Sequence, residues 1–479
     1  MKKIMLIYPP GEKYQRGEDR CQLVIEKSSV NAMRACNDLG YASSILKNDF
    51  ITFLKDYPSE KLTLNDFFND IENFQPNVIF LSTTNASIFE DIEIAKKIKE
   101  INKEIIIILK GAIFFNCTNE LFEEIDFSPI DYMIGGEEEF IIKPLLDAHY
   151  NNKQNLENIQ GIIYKKDGNY IINKVVSFDD DLDSLPFPDR ASMNNKLYVM
   201  PDTNEPLATI SSSRGCPSQC IYCLSPIISG RKVRFRSPQN ILEEMEECYF
   251  KFNIRNFFFK ADTFTINKKW TLELCEKIIN SKIVNKIRWV ANSRVDTVDE
   301  EMLLAMKKAG CYLVAFGLES GSDDSLKRMK KNTSTEKNYK VIQTAKKIGL
   351  QTLGFYVIGF PWETKNSLEE TKKAIFKNNT DFIEVHIATP FIGTEFFEMI
   401  NENTSSKSVY GRNHFNFEYK YSTDIDSKYV SDLRKKITLK YYTRPTYIIK
   451  KCLNAITNPK VIANYVKYGL RLVKNSLIN

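Results

Sequence analysis

The sequence predicts an α/β protein in parts: a doubly wound parallel sheet over residues 1–150, a hairpin linker over 151–200, a partial (β/α)6 barrel over 201–400 and a helical region over 401–479. Three observations lead there. Short apolar runs alternate with helix-like segments in the first part, and the run Ile105-Ile106-Ile107-Ile108-Leu109 is apolar throughout, as a strand buried on both faces must be. A strand-then-helix unit then recurs six times between about 205 and 400. Past 400, Lys and Arg interleave with Tyr, Ile, Leu and Val at loosely helical spacing.

Taken in order, the strands expected in the first part are Ile4–Ile7, Ala42–Leu46, Val78–Leu81, Glu104–Leu109 and Asp131–Ile134. Such Rossmann-like sheets bind ligands at the carboxyl ends of their strands. The loops to watch are therefore those holding Pro9, Ser82 and Thr83, Gly111, and Gly135 and Gly136. The turn signal Lys165-Lys166-Asp167-Gly168-Asn169 between two strand-like runs predicts the hairpin, and the acidic run Asp179–Asp183 reads as a solvated linker. In the TIM-type barrel, Ser237 and Pro238 start a helix, while Thr297 with Glu300 and Asn366 with Glu369 read as capping boxes. Strands are expected at Asn256–Phe259, up to Ser293, at Tyr312–Phe316, from Gly354 to Gly359 and at Ile383–Ile387.

Composition narrows the function. A chain of 479 residues with 43% hydrophobic content can build two or three full cores. Its 66 basic and 61 acidic residues are dispersed and the net charge is only +5, which gives no nucleic-acid footprint. The apolar run after Met1-Lys2-Lys3 ends at Tyr8, too short for a signal peptide or a membrane span, so a cytoplasmic protein is expected. Cys21, Cys36, Cys117, Cys248, Cys275, Cys311 and Cys452 have no metal-like spacing and read as structural thiols.

The other three cysteines carry the chemistry. Cys216, Cys220 and Cys223 follow an apolar strand at C-x3-C-x2-C spacing, and can point three thiolates at one centre. Three ligands on a four-iron, four-sulfur (4Fe-4S) cluster leave one iron open. Zinc is the rival reading, but it wants a fourth ligand, and His149, His386 and His414 are all distant in sequence.

This loop, with Tyr222 before the third cysteine, resembles the signature of the radical S-adenosylmethionine (SAM) superfamily. The segments Phe257–Thr265, Trp289–Arg294, Gly317–Gly321 and Gly354–Thr364 follow in that superfamily's order. Nearly the whole chain resembles the group with an N-terminal cobalamin-binding domain, which includes the anaerobic magnesium-protoporphyrin ester cyclase and related methyltransferases. The resemblance implies a 4Fe-4S cluster on Cys216, Cys220 and Cys223, SAM, and cobalamin on the loops of Pro9, Ser82, Thr83, Gly111, Gly135 and Gly136. It also implies an electron donor such as flavodoxin or ferredoxin.

By the same resemblance, Tyr222 lies near the adenine, Asp262 takes the methionine ammonium, Ser293 and Arg294 meet the methionine carboxylate, Glu319 accepts the ribose hydroxyls and Gly359 lets adenine approach the backbone. For Arg294 the structural alternative is an ion pair, for Glu363 a brace on its helix, for His386 a packed wall residue, and for Arg214 either charge balance at the thiolates or a surface position. Cleavage of SAM to a 5′-deoxyadenosyl radical would then serve either methyl transfer to an unactivated carbon or phosphorus, or oxidation or cyclisation, on a small-molecule or lipid substrate. Three departures are visible: Ala261 replaces an acid, Lys110-Gly111-Ala112 replaces Gly-Gly-Pro, and no histidine is offered to cobalt by an Asp-x-His-x-x-Gly motif. The basic residues of 428–474 read either as a cap on the barrel or as an interfacial helix touching a membrane.

Overall fold

The computed structural model describes residues 1–16, 25, 33–151, 155–401, 410–411, 425–457 and 459–477; Cys21 and His414 lie outside them. Its first sheet comprises β1 (Lys2–Tyr8), β2 (Phe50–Asp56), β3 (Val78–Ser82), β4 (Ile106–Lys110), β5 (Tyr132–Ile134), β6 (Ile162–Lys166) and β7 (Asn169–Ile172), in the order β2-β1-β3-β4-β5-β6-β7. The first five are parallel. Along β1, Ile4, Leu6 and Tyr8 feed one core while Met5 and Ile7 feed another, so both faces of the sheet are covered. The expected hairpin forms as β6 and β7, and it extends this sheet antiparallel to β5.

One expected strand is a helix. Ala42–Leu46 ends the helix Asn37–Leu46, whose Leu39, Ala42 and Leu46 face the core at helical spacing. The second strand is instead β2, an edge strand on which only Phe50 and Asp56 are buried. Its half-exposed pattern hid it.

The second sheet holds β8 (Leu207–Ser211), β11 (Asn256–Lys260), β12 (Arg288–Ser293), β13 (Cys311–Glu319), β14 (Gln351–Ile358) and β15 (Phe382–Ile387). All are parallel, in the order β15-β14-β13-β12-β11-β8, and the sheet is open, with β8 and β15 as its free edges. Between β8 and β11, β9 (Ser213–Arg214) and β10 (Arg234–Phe235) pair antiparallel around the cysteine loop. Phe257 and Phe259 point into the core shared with the helices, and Phe258 packs on the other face against Met200 and Leu207.

Helix starts follow whichever oxygen reaches the free N–H groups. Ser237 caps as expected. Asp299, not Thr297, caps the helix Glu300–Lys308, because the Thr297 hydroxyl is engaged with Thr265 and the Arg294 carbonyl. Thr364 and Ser367, not Asn366 and Glu369, form the capping box of the helix Lys365–Asn378.

The two sheets are joined through buried charge. Arg214 reaches Glu139 at 2.5 Å and Glu137 at 3.3 Å, and Arg234 reaches Glu137 at 2.7 Å. Charges removed from water persist only when paired in this way. Arg214 is therefore a buried tie to the first sheet, not a surface residue. Cys36, Cys117, Cys248, Cys275 and Cys311 are buried, but Cys452 is exposed on the outward side of its helix. No helix among the described residues is long and apolar enough to cross a membrane.

Candidate active site at the carboxyl ends of the second sheet

The cysteine loop leaves β9 at Gly215, whose φ of +97° and whose hydrogen, 2.0 Å from the Lys232 carbonyl if replaced by a Cβ, admit only glycine. Asp262, just past β11, fixes the same turn by accepting the Gly215 N–H at 2.7 Å. Cys216 is buried and Cys220 and Cys223 are half-buried. Ser225 donates its N–H to the Cys223 sulfur at 3.4 Å, and the Arg294 guanidinium donates to the Cys220 sulfur at 3.3 Å. Both are donors that favour a thiolate. Burial pushes the free Cys223 thiol up to about 11. Among the described residues no three His, Cys, Asp or Glu side chains converge on one metal ion.

Arg294 ends β12 and holds three partners. It pairs with Asp296 at 2.7 Å, donates to the Lys331 carbonyl at 2.5 Å, and reaches Cys220. The ion pair with Asp296 and a contact with the cysteine loop thus coexist on one side chain. Ser293 beside it shares a 2.5 Å hydrogen bond with Thr265, so the hydroxyls at the ends of β11 and β12 form a short chain.

Glu319 ends β13 with φ of +60°, a left-handed conformation uncommon outside glycine and asparagine. Its carboxylate is buried against Lys331, which donates at 2.6 Å. Gly317 leaves room for the pair; a Cβ there would stand 2.4 Å from the Glu319 carboxylate. Burial disfavours the Lys331 ammonium, but Glu319 and Cys220 outweigh it and its pKa stands above the ordinary lysine value. Burial and then Glu319 hold the Tyr222 phenol well above its usual range. Tyr222 also packs edge-on to Phe360, with centroids 5.8 Å apart. Gly359, before Phe360, adopts φ of +91° and donates to Glu363 at 2.6 Å. Glu363 takes the Phe360 N–H as well, so it braces this loop, and burial pushes its carboxyl up to about 7.

The strand ends therefore gather Cys220, Tyr222, Arg294, Glu319 and Lys331 into one connected group. Lys331 was not legible in the sequence, where it is one basic residue in Lys330-Lys331-Asn332. His386 stands half-buried on β15 with Phe355 6.0 Å away.

At the first sheet the candidate residues are engaged differently. Pro9 is buried after β1. Ser82 donates to Asp38 at 2.9 Å and Thr83 to Asp91 at 2.6 Å; Asp91 also takes Ser87 and the buried Arg16. Gly111 abuts Thr83, Gly135 the Phe114 carbonyl and Gly136 Ile141, each closer than a Cβ would allow. Between the two sheets lies a small solvent-open cleft, lined by Asn85, Ala112 and Asn116 on one side and by Leu224, Ile227 and Phe391 on the other. Leu224 directly follows Cys223.

Residues 210–375 match the model of the radical SAM superfamily. The chain is 29% identical over 456 residues to an uncharacterized methyltransferase of Pyrococcus horikoshii, covering 94% of each. It is 26% identical to the anaerobic magnesium-protoporphyrin IX monomethyl ester cyclase of Cereibacter sphaeroides, over 77% of this chain and 59% of that one. In fold it is similar to the cobalamin-dependent SAM radical enzyme OxsB, solved with aqua-cobalamin and SAM bound: TM-score 0.72, 17% identity, 97% of this chain and 72% of that one. The candidate residues from Cys216 to Glu363 thus lie within the segment that matches the radical SAM superfamily.

Proposed function

We propose that the protein is a cobalamin-dependent radical SAM methyltransferase of the cytoplasm, acting on a small-molecule or lipid metabolite at an unactivated carbon or phosphorus. The observation that carries it is the connected group of Cys220, Arg294, Lys331, Glu319 and Tyr222 beside a cleft that both sheets line with their strand ends. The open second sheet serves as the partial barrel, and the first sheet, with its hairpin, as the cobalamin-binding unit.

The residues fit a cluster. Cys216, Cys220 and Cys223 would hold it, and two of their sulfurs already accept N–H donors. A 4Fe-4S cluster takes each thiolate on a different iron, so its ligands need not converge as those of one ion do. Once bound, it supplies the electron that cleaves SAM, itself drawn from a donor such as flavodoxin or ferredoxin. Asp262 would receive the methionine ammonium, Ser293 and Arg294 the carboxylate, Glu319 the ribose hydroxyls, and the Gly359 backbone the adenine.

Cobalamin would be held by the loops of Pro9, Ser82, Thr83, Gly111, Gly135 and Gly136, whose side chains and glycines are packed on protein atoms here, so loading it requires these loops to part. The polar lining at Asn85 and Asn116 suits its amide-bearing rim, and no histidine is offered from these loops: His149 stands on the helix Glu138–Asn151, bonded to Tyr132 at 2.9 Å. The chemistry cobalamin supplies is methyl carriage.

The internal bonding of Ser82 and Thr83 favours one second reading, oxidation or cyclisation without methyl transfer. The test is product analysis. Protein, SAM, a strong reductant, hydroxocobalamin and source-cell extract are incubated anaerobically, and S-adenosylhomocysteine and 5′-deoxyadenosine are measured. Methyl transfer releases both together; 5′-deoxyadenosine alone overturns it in favour of the second reading.

A further inference from the structure

We propose that the helix pair Pro445–Thr457 and Ile462–Leu477 is an in-plane docking surface for an anionic lipid bilayer. One side of the pair is fastened to the second sheet. Lys450 pairs with Asp381 at 2.5 Å, and Lys451 is boxed by Phe382, Tyr447 and Tyr465, with the Phe382 ring centre 4.1 Å away. Asn464 donates to the Asp202 carbonyl at 2.7 Å. The helices therefore reach from the start of β15 to the segment before β8, across the amino ends of the two edge strands.

The other side is apolar and open. Ile448, Ile449, Leu453 and Ile456 recur at helical spacing on the first helix, and Ile462, Val466 and Leu470 recur every fourth residue on the second. Their exposures run from 48% at Ile448 to 75% at Ile456. Among the described residues, seven of the fifteen exposed large hydrophobic side chains fall in this stretch, so the patch is not ordinary surface scatter.

Charge decides the occupant. After Asp432 the chain has no Asp or Glu, and besides Lys450 and Lys451, which face the second sheet, the helix pair carries Lys467, Arg471 and Lys474. A second copy docking face to face would oppose those cations to their own kind, whereas anionic headgroups complement them. Lys474 lies one turn beyond Leu470, with Lys467 and Arg471 close by, where long stems run along an apolar face and carry their charges to the headgroups. Helices of 13 and 16 residues lie in the interface and do not span it.

The placement separates anchoring from substrate entry. The patch underlies the amino ends of the strands, and the site occupies their carboxyl ends, roughly 20–30 Å away along the strands. Docking here holds the enzyme on a membrane with its cleft turned away from the lipid.

The experiment is co-sedimentation of full-length protein with vesicles of phosphatidylcholine alone and with about one-third phosphatidylglycerol. Binding is expected to be at least about tenfold greater on the anionic vesicles, to fall with added salt, and to be lost in the double variant Ile449→Glu, Leu453→Glu with an unchanged melting curve. The variant Lys467→Glu, Lys474→Glu is expected to weaken anionic binding without affecting solubility. Equal capture on both vesicle types overturns the proposal. So does a concentration-dependent dimer, without vesicle binding, that the same apolar substitutions abolish.

Discussion

The carboxyl ends of the two sheets are built from the same plan and spend their polar groups differently. At the second sheet, side chains from β11, β12 and β13 turn toward the cysteine loop: Asp262 onto Gly215, Arg294 onto Cys220, Glu319 onto Lys331. At the first sheet, Ser82, Thr83 and Ser87 turn inward onto Asp38 and Asp91, and the glycines are filled by neighbouring loops. The lesson is that a strand-end position marks where a ligand can bind, but the hydrogen-bond ledger marks where charge has been arranged for one.

The largest effect that sharpens this contrast is expected at the cysteines. Replacing Cys216, Cys220 or Cys223 by Ala should abolish iron-cluster absorption after anaerobic reconstitution and leave no measurable SAM cleavage. Retention of a full iron complement in any one of the three would break the assignment of this loop.

Next comes the buried pair. Lys331→Met leaves Glu319 buried without its partner, which should cost about 3–5 kcal/mol in urea unfolding. Glu319→Gln leaves the buried Lys331 ammonium without a carboxylate, so it should also lose stability while keeping the iron content, and it should weaken SAM binding at least about tenfold, since an ionised acceptor is lost. The double variant should recover most of the stability and none of the binding. Unchanged SAM affinity in Glu319→Gln would remove this carboxylate from the site.

What was readable in the sequence was what local spacing fixes. The cysteine loop, the ends of β11 to β13 and the cap at Ser237 depend on residues a few positions apart. Lys331 meets Glu319 only because the chain folds back after a short helix, Asp323–Arg328, and nothing in Lys330-Lys331-Asn332 announces it. Arg16 with Asp91, and Arg214 with Glu139, each join residues 75 apart. The strand β2 was lost for a different reason: an edge strand keeps only part of its surface dry, so its apolar pattern is weak, while the helix before it is rich in buried apolar positions.

The first sheet offers the third test. A Cβ on Gly135 would lie 2.1 Å from the Phe114 carbonyl oxygen, which is backbone and cannot swing away. Gly135→Ala should therefore cost about 3 kcal/mol in protein that carries no cobalamin. If this glycine served only ligand approach, the substitution would leave stability unchanged and lower hydroxocobalamin binding alone. Either result says whether these loops are shaped by packing or by a cofactor.

The smallest effect is a slope with pH, and it belongs to Glu363. Its carboxyl is fully buried behind the loop of Gly359 and Phe360, and burial lifts it from an ordinary value near 4.5 to about 7, against the two N–H groups it accepts. The folded state therefore holds a proton that the unfolded chain has released between these two values. Stability from this group is full below about 4.5 and is lost as pH rises through about 7, with a slope of at most about 1.4 kcal/mol per pH unit for one proton. Glu363→Gln keeps an acceptor for the loop and cannot ionise, so urea unfolding followed from pH 5 to 8 should show a flatter profile than the parent's by up to that amount. No Cys-loop substitution should alter this difference, because both N–H groups that Glu363 accepts belong to its own loop. Identical profiles in parent and variant would mean that the carboxyl titrates as an ordinary one, and that the loop beside Tyr222 is open enough to water to solvate it.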